Sequence, residues 1–174
     1  MKEASSRIVQ SQWAIVPAGG WLWLGGVIAT ALPLVAVWLP PFVAPEVQAV
    51  LMRVFLPLCH QLPARSIHWH GVQLAVCDRC TGLYTGIFVG ACIAPWIRTG
   101  WQRLGARRAS WVLLGSGALL GIHWLLPVVG VWPGTMLGRY ATGVIFGSVA
   151  SSYVWHVLAP PARAAAPPES APRC

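Results

Sequence analysis

Acidic residues are nearly missing from this chain. Glu3, Glu46, Asp78 and Glu169 are its four carboxylates in 174 residues, and Asp78 alone lies between Glu46 and Glu169. A paired-carboxylate active site is therefore excluded. A G-x-S-x-G elbow, an H-E-x-x-H helix and a phosphate-cradling glycine loop are also missing, so hydrolase chemistry has little to rest on, even with Ser66 close to several histidines. No histidine directly follows the second cysteine of the C-x-x-C pair, where Thr81 stands, and this sets c-type haem attachment aside. Charge of either sign is scarce at 9% of residues. With a mean hydropathy of +0.63, the composition is not that of a soluble globular domain.

What the chain has instead is long apolar runs. Four windows, 21–39, 81–97, 111–131 and 141–159, contain no Asp, Glu, Lys or Arg, and each approaches the length a helix needs to cross about 30 Å of hydrocarbon. The reading is an all-α, polytopic helical membrane protein of about four transmembrane helices. Residues 1–158 form one integral membrane domain, and the Pro/Ala-rich tail 159–174 is expected to be disordered. The first span follows a positively charged start like a signal peptide, but Pro40 and Pro41 follow it in place of a small-residue cleavage site, so it reads as an uncleaved anchor.

The net charge of +8 suggests nucleic acid at first sight. Its distribution does not. Lys2 and Arg7 precede the first window, Arg98, Arg103, Arg107 and Arg108 separate the second from the third, and Arg163 and Arg173 follow the fourth. With four spans these groups share one side, and the positive-inside rule puts both termini in the cytoplasm of a prokaryotic cell and residues 40–80 outside its cytoplasmic membrane.

Local signals fill in the rest. Trp13, Trp21 and Trp23 suit a membrane interface that keeps the indole N–H wet. Pro33 interrupts the first span, and 46–56 reads as a short amphipathic helix on the outer surface. Gly82, Gly86 and Gly90 recur every fourth residue, with a counterpart in Gly143 and Gly147. Such stripes let helix backbones approach closely, so the second and fourth spans are expected to pack together, and the same faces offer a route to a membrane partner or homo-oligomer.

The reactive side chains concentrate between Cys59 and Cys80, which hold three of the five cysteines and three of the five histidines. Cys77-Asp78-Arg79-Cys80 is a C-x-x-C motif at the start of a span, where helix N–H groups and Arg79 favour a thiolate. The same spacing is half of a zinc site, which Cys59 and one of His60, His68 or His70 complete as Cys3His. His123, near the outer end of the third span, is a further candidate ligand. Asp78 is the natural partner of Arg139 or Arg79, and such ionisable groups near a membrane core are functional candidates. Cys92 reads as a small buried hydrophobe, Cys174 as incidental and His156 as an interfacial histidine.

Cys59-His60-Gln61-Leu62-Pro63-Ala64-Arg65-Ser66 followed by Cys77-Asp78-Arg79-Cys80-Thr81-Gly82-Leu83-Tyr84-Thr85-Gly86 resembles the signature of a family of prokaryotic membrane proteins, domain of unknown function 2085. The resemblance runs from about Leu51 to Ser151, including Arg139, Gly143 and Gly147. It implies a compact helical membrane domain whose pattern includes Cys59, His60, Arg65, Cys77, Arg79 and Cys80, and it implies no activity. Where the family pattern has an acid near the end of the preceding helix, this chain has His123, which leaves Asp78 to stand in as the partner of Arg139.

Three functions compete on these residues. The first is a zinc or copper site at the outer face. The second is thiol-disulfide exchange between Cys77 and Cys80, with Cys59 as the resolving thiol. The third is a non-enzymatic subunit or assembly factor whose glycine faces bind partner helices.

Overall fold

The computed structural model describes residues 20–158. The basic groups, Trp13 and Cys174 that belong to 1–19 and 159–174, and the expected disordered tail, lie outside the described residues. The order of elements is α1 (Gly20–Trp38), α2 (Pro45–Phe55), β1 (Ser66–Trp69), β2 (Val72–Cys77), α3 (Asp78–Val128) and α4 (Met136–Leu158), with single 3-10 turns at Pro40–Phe42 and Pro63–Arg65.

Among the described residues, α1, α3 and α4 are long and apolar enough to cross a membrane. The second and third expected windows are the two arms of one element, Asp78–Val128, which is two helices joined across a kink. A straight helix of that length would run about 77 Å. It does not run straight: Gly105 has φ 70° and ψ 159°, outside helical geometry, in a region that glycine enters without a Cβ penalty. Both arms lie along α4. Gly82 abuts the Tyr140 carbonyl near the start of α4, Trp101 packs edge-on to Tyr153 near its end, and His123 returns to Gly138. The chain thus reverses at Gly105, and the arginine-rich stretch expected as a connection is itself helical.

The glycine stripe sets the contact between the first arm of α3 and α4. A Cβ on Gly82, Gly86 or Gly90 would meet backbone of Tyr140, Val144 or Ser148, and one on Gly143 or Gly147 would meet backbone of Arg79 to Ile87. These faces are filled within the chain, so they are not free for a partner helix. The side of α1 holding Trp21, Leu22, Ile28, Leu32 and Val35 is exposed, as are Trp96, Trp111 and Leu114 on α3, as helices bathed in hydrocarbon require. The Trp23 indole N–H, expected to be wet, donates instead to the Ala91 carbonyl at 2.8 Å. Pro95 has no N–H to offer that carbonyl, so the indole takes the missing donor's place.

The cap over one end of the bundle departs from the all-α expectation. β1 and β2 form a hairpin in which Trp69 pairs with Val72, and the two loop residues His70 and Gly71 have φ 49° and 80°, the positive values a type I′ turn demands. Val37, Phe55, Cys59, Leu74, Ala75 and Val76 are buried together in the cap, with Met52, Cys77, Cys80 and Tyr84 packed against them.

Replacing Gly86 with valine is expected to destabilise the bundle by about 1–3 kcal/mol through overpacking. Gly115, which has open space at its Cβ position, should accept alanine without loss. Thermal unfolding of both variants in one detergent checks the contrast, and equal effects would show that the stripe carries no packing.

Candidate metal centre

Cys59, Cys77 and Cys80 arrive from two directions. Phe55, at the end of α2, accepts the Cys59 N–H at 3.0 Å through its carbonyl, which turns Cys59 inward to 6% exposure. Cys77 ends β2 and is the N-cap of α3, and Cys80 follows one helical turn later. Gln61 braces the approach. Its Nε2 donates to the Met52 and Ala75 carbonyls, both at 2.7 Å, and its backbone carbonyl accepts from Gln73 Nε2 at 2.8 Å. One side chain therefore ties α2, the cysteine turn and β2 together, with its backbone in the left-handed region at φ 49°. The sequence reading gave Gln61 no role beyond its place in the Cys59–Ser66 motif.

The three sulfurs lie within 4.8 Å of one another. The Cys77 N–H donates to Cys59 Sγ at 3.2 Å. Hydrogen bonds from the Cys77 and Cys80 side chains, with that backbone donor, hold the Cys59 pKa well below the ordinary thiol range. Cys77, as donor to the Cys59 thiolate, is pushed up. All three, like Cys92, are free thiols.

The donor set fits a borderline metal ion. A tetrahedral zinc with sulfur bonds of about 2.3 Å places its sulfurs about 3.8 Å apart, so small adjustments of separations under 4.8 Å suffice. The backbone N–H on Cys59 is the kind of outer hydrogen bond that orients a ligating sulfur. Among the described residues, no histidine shares the cluster. His60 lines the cavity of about 300 Å³ beside it, with Arg65, Asp78, Arg79, Trp124 and Arg139. His68 bonds the Ser66 carbonyl through Nδ1, and His70 occupies the hairpin turn edge-on to Trp69. His123 is buried against Trp132 and Gly138, with neither ring nitrogen hydrogen-bonded. At the opposite end of the bundle His156 stacks on Trp101, and Cys92 is half-buried on α3.

Beneath the sulfurs, Asp78 is 1% exposed and pairs with Arg139, Nε to Oδ2, at 2.7 Å. The other carboxylate oxygen accepts the Arg79 backbone N–H at 2.7 Å. Arg139 also donates through Nη1 to the Gly134 and Pro133 carbonyls. The pair clamps the first turn of α3 to the first turn of α4.

These features define a helical membrane protein with a cysteine-centred cap. Residues 59–153 match the family described as Predicted membrane protein (DUF2085), and the chain belongs to that family. It is similar to the uncharacterized protein MJ1492 of Methanocaldococcus jannaschii, 48% identical over 48 residues, which are 28% of this chain and 31% of that protein. An uncharacterized protein of Methanothermobacter thermautotrophicus is 46% identical over 39 residues, 22% of this chain and 34% of its own. The chain thus spans 31% and 34% of the curated relatives it matches. No solved structure matches it.

Asp78→Asn should cost about 3 kcal/mol, because it leaves the Arg139 charge buried without its partner. Combining it with Arg139→Met should recover most of the loss. Unfolding of the two single variants and the double variant tests this, and strict additivity would rule out the clamp.

Proposed function

We propose that the cap is a metal centre in which Cys59, Cys77 and Cys80 hold one divalent ion of the zinc type, with a fourth position facing the cavity. The mutual approach of the three sulfurs within 4.8 Å carries this reading. Three thiolates are a donor set of the kind zinc takes, and with a divalent ion they sum to −1, beside the guanidinium groups of Arg79 and Arg65 on the cavity wall. His60 lines the same cavity and is the histidine best placed in sequence to close the set. With the position open, zinc supplies Lewis acidity toward an oxygen ligand; with it closed, the ion pins the cap onto the bundle.

Thiol-disulfide exchange is a second reading, favoured by the lowered pKa of Cys59 beside two thiols, since the thiolate is the attacking species. Elemental mass spectrometry on untagged protein separates the two. About one zinc per chain, lost in the Cys59, Cys77 and Cys80 triple serine variant, is the expected result. Metal content that is unchanged by the serines, or missing from wild-type protein purified without chelator, would overturn the metal centre. A Cys77–Cys80 disulfide in that metal-free protein would turn the assignment to redox chemistry.

The reversal at Gly105 supports four crossings by three helices, with the arginines around the bend in the cytoplasm and the cap outside. Ala64→Cys in the cap should react with an impermeant maleimide in intact cells, above the wild-type background. Gln102→Cys should react only after permeabilisation. The opposite pattern would invert the orientation.

A further inference from the structure

We infer that the cavity beside the three thiols binds a small oxyanion of the phosphate type, gripped by Arg65 and Arg79. The cavity of about 300 Å³ is lined by three guanidinium side chains, Arg65, Arg79 and Arg139, against one carboxylate, Asp78. Asp78 pairs with Arg139 through one oxygen and accepts the Arg79 backbone N–H through the other. Cancelling that pair leaves Arg65 and Arg79 as two positive charges on the walls.

Thiolates do not remove the excess. A single Cys59 thiolate leaves the walls at +1, and three thiolates with a divalent ion, together −1, leave the same +1. The inference therefore holds with or without metal. Arg79 Nε is buried with no hydrogen-bond partner, a donor whose desolvation is uncompensated until an acceptor arrives. Arg65 is exposed, so it stands where an entering anion meets the protein. Planar guanidinium forks bind phosphate and carboxylate oxygens in pairs, and a volume at the lower end of ligand pockets suits a small anion rather than a nucleotide.

The test uses full-length protein in nanodiscs of zwitterionic lipid, with inorganic phosphate titrated against chloride at matched ionic strength and thermal unfolding as the readout. Phosphate should raise the unfolding temperature saturably where chloride does not. Arg65→Ala, at an exposed position, should leave unfolding without phosphate unchanged and weaken phosphate binding by about tenfold. Arg79→Lys should weaken it further. In nanodiscs containing phosphatidylglycerol, stabilisation without free phosphate that added phosphate competes away would assign the same grip to a lipid headgroup. No phosphate effect in either lipid, or one unchanged in Arg65→Ala and Arg79→Lys, would overturn the inference. Metal content of the same preparations reports on the metal centre separately.

Discussion

The backbone-to-backbone approach of α3 and α4 along their glycines is the constraint on which the rest of this structure depends. Gly82 rests on the Tyr140 carbonyl, one residue beyond Arg139, and Gly143 rests on the Arg79 carbonyl. At that separation Arg139 reaches Asp78 at 2.7 Å. The start of α3 is then fixed in position and rotation, and with it Cys77 and Cys80. Side chains larger than hydrogen at these glycines would separate the helices and strand both charges in a medium that does not solvate them.

The cap solves a different problem. Helices in hydrocarbon satisfy their own backbone groups, but the residues between α1 and α3 must place an irregular chain over the bundle with its carbonyls occupied. Gln61 meets two of those carbonyls with one amide nitrogen, while Phe55, Leu74 and Val76 supply a dry core in which Cys59 is buried. The thiol cluster is thus assembled from two segments that share this core. Cys77 and Cys80 come from the start of α3, and Cys59 comes from the segment after α2.

The parts legible in the sequence were those written in strong periodicities. Apolar windows locate the helices, the four-residue glycine spacing identifies the α3–α4 contact, and the isolation of Asp78 among basic residues narrows its partner to Arg139 or Arg79, of which the structure takes Arg139. The hairpin was not legible, because its strands are four and six residues long and its turn is His70-Gly71 instead of the Asn-Gly or Asp-Gly that advertises a type I′ turn. That omission misplaced the histidines. Sequence spacing groups His68 and His70 with the cysteines, whereas the hairpin carries His70 to its tip and turns His68 toward the Ser66 carbonyl. Gly105 was equally silent, since a glycine among arginines looks like any connection until both arms are seen against α4.

Asp78 and Arg79 show how one turn of helix divides opposite tasks. Adjacent residues on a helix point about 100° apart, so the carboxylate faces α4 and closes the clamp while the guanidinium lines the thiol cavity with its Nε unpaired. Each Asp78 oxygen accepts a hydrogen bond elsewhere, Oδ2 from Arg139 and Oδ1 from backbone. The clamp is neutral as a pair, so the positive charge on the cavity walls is that of Arg79 and Arg65. The Cys59 sulfur, whose pKa is held low by hydrogen bonds from Cys77 and Cys80, lies beside that charge.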